Sequence, residues 1–308
     1  MCSLVLNDEQ GLEIIGTYNN KNAATLLFDR KINLIKFNAL TDDVEKLIYS
    51  TNPKYVINCI GRIKPTIDED DSESVYQAKQ INSNLPKQIE KLSETGGFKI
   101  IQIGTDCVFS GKKGLYTIND EYDASDVYGR TKSDGEIDSG KKMLLRTSIV
   151  GPEVKPGQSL LNWFLELDKD SEVDGFENHK WNGITTLAFA KIVKGIILNN
   201  IYTPKIIHLT PKDLVSKYEL LSMFSSSFKR EDIVINPKNA DLVIDRTLLA
   251  DTSIDNQAIW NIAGYDGVPT ISELVLSHIV ADNVFLLSLC SINFILISSC
   301  TSIASSID

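Results

Sequence analysis

Short runs rich in β-branched residues alternate with longer amphipathic stretches along most of this chain. This alternation is typical of a parallel sheet whose strands are joined by covering helices. One helix is expected to begin near Thr41 and to stop near Asn52, and another covers about residues 73–94 with an interruption near Pro86. The sequence therefore predicts a doubly wound α/β fold. The predicted strands are Leu12–Gly16, Ile32–Lys36, Tyr55–Ile60, Phe98–Ile103, Met143–Arg146 and Lys205–Leu209.

The charge balance and the cysteine count exclude several classes of protein. The 308 residues include 41 acidic and 31 basic side chains, which gives a net charge of -10. A field of that sign repels a phosphate backbone, so nucleic acid is not an expected partner. The five cysteines are scattered without a CxxC pair and the three histidines lie far apart, so neither a disulfide framework nor a metal site is predicted. We also find no pattern of a secretory signal and expect a cytoplasmic protein.

A loop rich in proline and glycine interrupts the alternating pattern near residue 151. We predict a dinucleotide-binding domain over residues 1–150 and a substrate lobe over residues 151–282, partly interleaved with the first. Residues 283–308 form a hydrophobic tail, which is uncharged as far as residue 307. Its length would suffice for membrane contact, but its many serines and the lack of flanking Lys or Arg do not favour that interpretation.

The string from Tyr128 to Lys132 is the segment that most clearly suggests chemistry. On a helix, residues four apart share one face, so the Lys132 ammonium would lie beside the Tyr128 phenol. A nearby positive charge lowers the pKa of a tyrosine, which suits a proton donor to a carbonyl oxygen. The predicted strand at residues 98–103 ends just before Thr105, and open α/β sheets bind ligands at the carboxyl ends of their strands. Thr105 could therefore position a substrate oxygen beside Tyr128, whereas Asp106 suits either a substrate contact or a turn.

These residues belong to a longer set of motifs that resembles a known family. Thr105-Asp-Cys-Val-Phe-Ser-Gly111, Gly114-Leu-Tyr116 and Val127-Tyr-Gly-Arg-Thr-Lys132 look like the dTDP-4-dehydrorhamnose reductase family, extended short-chain dehydrogenases/reductases that bind nucleotide sugars. The resemblance runs from about residue 12 to about residue 280 and implies a Rossmann-like sheet. Its further motifs are Asn58 with Gly61, Ile81-Asn-Ser-Asn-Leu-Pro86, Leu145-Arg-Thr147, Trp181-Asn-Gly-Ile-Thr-Thr186, Ser216-Lys-Tyr-Glu-Leu220 and Asp245-Arg-Thr-Leu248.

The resemblance implies a reaction and three catalytic residues. The reaction would be the reduction of the 4-keto group of a nucleotide-linked deoxysugar, as in the synthesis of dTDP-L-rhamnose and polysaccharide precursors. Tyr128 would donate the proton, Thr105 would hold the keto oxygen, and Lys132 would bind the nicotinamide ribose and lower the pKa of Tyr128. The implied cofactor is NADPH or NADH, and the implied partner is a nucleotide-diphosphate sugar. A homodimer is a further expectation.

Binding residues are implied in the same way. On the substrate side, Trp181 and Asn182 would join Thr105 and Asp106. Arg246 suits either a nucleotide diphosphate or an ion pair with a neighbouring aspartate. The residues implied on the cofactor side are Asn38, Cys59, Ile60, Gly61 and Asn82, with Tyr128 and Lys132.

The sequence departs from the family's pattern in two places. Cys107 stands where the family commonly has Tyr, and Gly104 stands where it often has Ser. The larger departure concerns the strand, Gly-rich turn and helix that open a dinucleotide-binding fold and hold the pyrophosphate. The predicted strand Leu12–Gly16 matches the family's second strand, so the first strand-loop-helix unit is expected to be missing.

Two alternatives to the reductase therefore stay open. The first is a nucleotide-sugar epimerase or dehydratase, which would keep NAD bound and could use Asp106 as an extra acid or base. The second is a non-catalytic member of the family, similar to the regulatory subunit of methionine adenosyltransferase. The missing phosphate loop favours this second alternative, whereas the retained Thr105, Tyr128 and Lys132 oppose it.

Overall fold

The computed structural model shows strands and helices that alternate along the first half of the chain, as predicted. It describes residues 12–19, 33–151, 159–251, 256–284 and 294–300. The strands are β1 (Leu12–Tyr18), β2 (Asn33–Lys36), β3 (Tyr55–Asn58), β4 (Lys99–Thr105), β5 (Lys142–Thr147), β6 (Ile149–Val150), β7 (Glu172–Phe176), β8 (Lys180–Trp181), β9 (Ile184–Thr185), β10 (Ile206–His208), β11 (Val215–Ser216), β12 (Val234–Lys238) and β13 (Phe294–Cys300). The α-helices are α1 (Val44–Thr51), α2 (Ser72–Lys79), α3 (Leu85–Gly96), α4 (Val127–Gly135), α5 (Leu160–Leu165), α6 (Thr186–Leu198), α7 (Lys217–Ser227), α8 (Asn256–Ile262) and α9 (Ile271–Val284).

Seven strands form the central sheet, in the order β10-β5-β4-β3-β13-β1-β2. All of them except β13 run in the same direction. Side chains alternate between the two faces of a strand, so Ile57 and Ile101 pack against α6 and α8, while Val56 and Ile100 pack against α1 and α3. The predicted doubly wound α/β fold is confirmed, because helices cover both faces of a sheet whose strands are almost all parallel.

A third apolar cluster lies within residues 150–275. It is built from α5, α7 and α9 with the short strands β8 and β11, and Phe164, Trp181 and Phe224 are its largest side chains. The strand pairs in this region are small, β6 with β9, β7 with β12 and β8 with β11. The division of the chain near residue 150 stays a prediction.

Two helix boundaries differ from the sequence-based expectation. Asp43, not Thr41, caps α1, because its carboxylate accepts the N–H groups of the next turn. The interruption expected near Pro86 lies just before it, in a π-helical turn at residues 80–84. Pro86 itself is the second residue of α3. There it needs no N–H partner, so it begins that helix instead of breaking it.

The hydrophobic tail contributes β13, which lies in the middle of the sheet between β1 and β3. It runs antiparallel to both neighbours, with Leu296 opposite Ile15 on one side and Val56 on the other. In a dinucleotide-binding sheet of order 3-2-1-4-5-6, this is the position of the first strand. Sequence analysis did not predict this pairing, since the tail carries no local signal of its partner strands. Among the described residues, no helix is both long and apolar enough to cross a membrane.

His208 is an uncharged group in the core of the sheet, and Arg146 lies opposite it in the register of β10 with β5. The Nδ1 atom lies 3.0 Å from the carbonyl oxygen of Leu249, and Nε2 lies 3.2 Å from the guanidinium of Arg146. Nδ1 therefore carries the proton and Nε2 accepts from arginine. Burial, helped by the Arg146 charge, lowers the pKa of His208 from 6.5 to about 4.

We expect Leu296→Pro to lower the free energy of unfolding by at least about 1 kcal/mol. The substitution removes a backbone N–H from the middle of the sheet, and a proline is not accommodated there. Urea denaturation followed by circular dichroism measures the change, with Leu296→Val as a control that keeps the N–H. Equal stability of the proline variant and the wild-type protein would contradict the central position of β13.

His208 should make stability depend on pH between 6.5 and about 4. The unfolded chain takes up a proton on this imidazole near pH 6.5, whereas the folded chain does so only near pH 4. The free energy of unfolding should therefore fall by up to about 3 kcal/mol as the pH drops through this window, and level off below it. Urea denaturation at several pH values tests this, because His208→Gln should flatten the slope. An identical slope in the variant would contradict the assignment.

Candidate active site

The three predicted catalytic residues come together at the carboxyl edge of the sheet. Thr105 is the last residue of β4, and α4 carries Tyr128 and Lys132. Asp126 caps α4 by accepting the N–H of Gly129 at 2.7 Å. A Cβ on Gly129 would lie only 2.5 Å from the carbonyl oxygen of Cys107, the second residue after Thr105. The glycine after Tyr128 thus lets α4 pack directly on the turn that follows Thr105.

Tyr128 is half-buried, and its phenol lies close enough to the Thr105 hydroxyl for that group to act on its ionisation. Burial raises the pKa of Tyr128 well above its ordinary value of 10, Cys107, Glu136 and Asp106 raise it further, and the Thr105 hydroxyl opposes them. The sequence predicted the opposite direction, a lowering by Lys132. The prediction was wrong because burial outweighs the other effects and Lys132 is not among the strongest of them.

Lys132 is almost fully buried, and its ammonium is bound by other groups of the protein. Nζ lies 3.3 Å from Oε1 of Glu136 and 3.4 Å from the carbonyl oxygen of Ile103. Glu136 directly follows α4 and is completely buried. Glu136 was not predicted, although its position four residues after Lys132, at the end of the predicted helix, was a usable signal.

Glu136 also joins the two strands that flank the site. Its carboxylate accepts the N–H of Thr105 at 3.2 Å and lies 3.4 Å from Nε of Arg146, which is fully buried in β5. Arg146 in turn donates to His208 and Tyr122. A Cβ on Gly104 would lie 3.0 Å from Glu136 Oε2 and 3.2 Å from the Arg146 backbone. The glycine that departs from the family's serine therefore leaves room for this carboxylate.

A second group of charges lies on the other side of Thr105. Burial raises the pKa of Asp106, and the positive charges of Arg246 and Lys217 oppose this. Burial and the Asp106 charge raise the pKa of Cys107 to about 12. Lys217 was not predicted, although it lies within the Ser216-Lys-Tyr-Glu motif. Arg246 Nε donates to the carbonyl oxygen of Phe109 at 2.8 Å, and the predicted alternative of an ion pair with an aspartate is not seen among the described residues.

Trp181 and Asn182, predicted on the substrate side, make hydrogen bonds to other segments of the protein. Trp181 is buried and its indole N–H donates to Ser148 Oγ at 2.9 Å, while the Lys217 ammonium lies 5.8 Å from the centre of its ring. The amide of Asn182 donates to the carbonyl of Leu248 at 2.7 Å and accepts its N–H at 3.0 Å. The Asn182 amide thus uses both its oxygen and its nitrogen to hold the backbone of Leu248, which lies two residues after Arg246.

Asn82 and Asn38, predicted on the cofactor side, make hydrogen bonds within the protein. Asn82 is buried, accepts the N–H of Arg62 at 2.8 Å, and donates to the Arg62 carbonyl and to Thr131 in α4. Asn38 accepts the N–H of Leu40 in a turn after β2, four strand positions away from β4. The structure therefore does not bring Asn38 next to Tyr128.

Cys59, Ile60 and Gly61 follow β3 at the same edge of the sheet as Thr105. Ile60 is buried and packs against the α1–α3 face, Cys59 is half-buried, and Gly61 is exposed. The N–H of Ile60 is held at 3.1 Å by the side chain of Asn58, the last residue of β3. This segment presents backbone and small side chains one strand away from Thr105.

The residues beside Tyr128 fit the nicotinamide end of a dinucleotide. Tyr128 is half-buried, and two of the three ammonium hydrogens of Lys132 have partners, so one remains for a ribose hydroxyl. The fit at the phosphate end is poorer. A dinucleotide site has at this edge the end of the first strand, which leads into a helix. In this protein β13 is antiparallel to its neighbours, so the edge has the beginning of that strand instead. Among the described residues, no group of three His, Cys, Asp or Glu side chains could hold a metal ion.

Comparison with known proteins identifies the family of this chain. The sequence profile of the RmlD substrate binding domain matches residues 7–242. Methionine adenosyltransferase 2 subunit beta of Danio rerio is 23% identical over 251 residues, which cover 74% of this chain and 76% of that protein.

Two solved structures share the fold at low identity. dTDP-4-dehydrorhamnose reductase of Bacillus anthracis, in complex with NADP, superposes with a TM-score of 0.65 at 17% identity, covering 87% of this chain and 98% of that one. A variant of the UDP-glucuronic acid 4-epimerase of Bacillus cereus, in complex with a UDP-sugar and NAD, gives a TM-score of 0.66 at 16% identity, covering 91% and 95%. The match of the profile to most of the chain shows that this protein belongs to the RmlD family, the family of the dTDP-4-dehydrorhamnose reductases.

Proposed function

We propose that this protein reduces the 4-keto group of a nucleotide-linked deoxysugar with NADPH or NADH, as dTDP-4-dehydrorhamnose reductases do. The observation that carries the proposal is the meeting of Thr105, Tyr128 and Lys132 at the carboxyl edge of the sheet, with the Thr105 hydroxyl close to the Tyr128 phenol. An open α/β sheet binds its ligands at this edge. The family membership and the cofactors held by the related structures support the same reaction.

In this proposal, Tyr128 is the proton donor to the keto oxygen. Its raised pKa keeps the phenol protonated until negative charge develops on the substrate oxygen, which then becomes the stronger base. The Thr105 hydroxyl, in contact with Tyr128, orients that oxygen. Lys132 would hold the ribose of a nicotinamide cofactor, which would supply the hydride for the keto carbon. The cofactor would be lined by Cys59, Ile60 and Gly61. Asn82 supports α4 through its hydrogen bond to Thr131.

The charges beyond Thr105 suit a nucleotide-diphosphate sugar. Lys217 and Arg246 both act on Asp106, which places two positive charges near one carboxyl group. Among the described residues, neither cation has a carboxylate within ion-pair distance, so both are available to phosphate oxygens. The ring of Trp181 packs against the Lys217 ammonium. The substrate would thus lie between α4 and the segment around residues 181–248, in the predicted substrate lobe.

The phenol is the simplest group to test. We expect Tyr128→Phe to lower kcat by about 10²–10⁴-fold, because the proton donor is lost, while the Kd values for NADPH and for the sugar nucleotide stay nearly unchanged. Calorimetry and nicotinamide fluorescence give the Kd values, and the oxidation of NADPH by a 4-keto sugar nucleotide gives kcat. Tyr49→Phe, on the exposed surface of α1, is the matched control. Unchanged turnover in Tyr128→Phe would contradict the catalytic role.

A second candidate function is that of a non-catalytic subunit. It is favoured by β13, which occupies the first-strand position in the opposite direction, and by the similarity to methionine adenosyltransferase 2 subunit beta. In that case the protein would bind a methionine adenosyltransferase chain, and the retained Tyr128 site would serve binding alone. An epimerase or dehydratase stays a further alternative on the same fold, and the homodimer and the cytoplasmic location stay predictions.

Turnover and partner binding together separate the two candidates. For the reductase, we expect NADPH or NADH to bind with a Kd well below 1 mM, since working cofactor concentrations must saturate the site. For the subunit, we expect no turnover of 4-keto sugar nucleotides, together with co-elution of the protein with methionine adenosyltransferase from the same organism in size-exclusion chromatography. Turnover without co-elution would exclude the subunit, and co-elution without turnover would exclude the reductase.

A further inference from the structure

Glu136 is a charged side chain to which the proposed reaction assigns no role. It lies at the end of α4, one helical turn after Lys132, and none of its surface reaches solvent. Placing a carboxylate away from water is costly unless its oxygens are fully partnered. Its partners therefore indicate what the residue does.

Both carboxylate oxygens of Glu136 contact groups of the active site or its supporting strand. Oε1 lies 3.3 Å from the Lys132 ammonium and accepts the backbone N–H of Thr105 at 3.2 Å. Oε2 lies 3.4 Å from Nε of Arg146. One side chain thus connects the end of β4, the helix that carries Tyr128, and β5.

We propose that Glu136 is a positioning residue, whose carboxylate holds the Lys132 ammonium and the Thr105 amide in place and thereby sets the charge that Tyr128 experiences. This inference rests on the proposed function, since it concerns the same three residues. Glu136 does not contact the reacting atoms itself, and it acts through Lys132 and Thr105.

The groups around Tyr128 support this assignment. Thr105, Asp106 and Cys107 act on the phenol from the end of β4 and the turn after it, Lys132 lies on the helix of Tyr128, and Glu136 directly follows that helix. Burial raises the pKa of Tyr128 most, then Cys107, Glu136 and Asp106 raise it and Thr105 lowers it. Lys132 is not among these strongest effects. The Glu136 carboxylate lies beside the Lys132 ammonium and partly offsets its positive charge at Tyr128.

Arg146 fixes Glu136 in place from the opposite side. The guanidinium is fully buried, packs over the ring of Tyr122 at 4.8 Å, and donates to His208. Because Glu136 is shared by two cations, Lys132 and Arg146, the group of three carries a net charge of +1. Loss of the carboxylate would leave the buried positive charges of Lys132 and Arg146 without the carboxylate that they share.

The test measures the ionisation of Tyr128 directly, without substrate or cofactor. The full chain is labelled with difluorotyrosine, whose phenol ionises at a lower pH than tyrosine, and each phenol is titrated by 19F NMR. The Tyr128 resonance is the one that disappears in Tyr128→Phe. We expect Glu136→Gln to lower the titration midpoint of Tyr128 by about one pH unit or more, because a negative charge that disfavours the phenolate is removed and Lys132 is released from its pair.

Two further variants separate positioning from a general structural role. Glu90→Gln breaks another largely buried ion pair, with Lys142 at the opposite end of β5, so it should destabilise the fold and leave the Tyr128 midpoint unmoved. Glu136→Asp keeps the charge and shortens the side chain, so it tests the assignment if Glu136→Gln does not fold. We expect it to release Lys132 and to lower the midpoint.

An unchanged Tyr128 midpoint in a folded Glu136→Gln protein would overturn the proposal, as would an equal shift in Glu90→Gln. If Glu136→Gln does not fold, an unchanged midpoint in Glu136→Asp would overturn it too. Because the titration needs no turnover, a protein without reductase activity would still give a result, and the failure of the proposed function would be seen separately.

Discussion

The hydrogen-bonded register between β4 and β5 determines the geometry of the candidate site. It places Gly104 opposite Arg146 and Thr105 opposite Thr147. The buried Arg146 is therefore paired with the residue that directly precedes Thr105, whose hydroxyl lies close to Tyr128. The absence of a side chain at Gly104 lets the Glu136 carboxylate lie against this strand and reach Arg146, the Thr105 amide and Lys132. A shift of one residue in the register would turn these side chains to the opposite face of the sheet and separate the group.

The buried charges explain how this site can keep a tyrosine protonated next to a lysine. Lys132, Glu136 and Arg146 are all nearly or completely removed from water, and such charges are tolerated only when they are paired. Pairing satisfies Lys132 but also weakens its effect on Tyr128, whose pKa is then governed by burial. A phenol of this kind retains its proton in the free protein. It would transfer the proton only to a strong base, such as an oxygen that is gaining charge during hydride transfer.

The central strand distinguishes the two candidate functions. At the end of the site formed by β4 and α4, Thr105, Tyr128 and Lys132, to which we assign the reductase chemistry, come together. At the phosphate end, β13 has the direction opposite to that of the first strand of a dinucleotide fold, so its start lies at the edge where a phosphate-binding turn would begin. A complete proton-donor site beside an altered phosphate end is compatible with a reductase that binds its cofactor through other donors, and equally with a protein that retains the fold for binding a partner.

The sequence by itself determined the α/β class, most of the parallel strands, and the positions of Thr105, Tyr128 and Lys132. These depend on local signals, namely apolar runs of strand length, helix caps and a four-residue spacing on one helix face. Tertiary structure alone decided the pairing of β13, the sign of the pKa shift of Tyr128, and the sharing of Glu136 between two cations. Each of these depends on groups that are distant in sequence and on how completely they are removed from water, and neither property can be read from a spacing of residues.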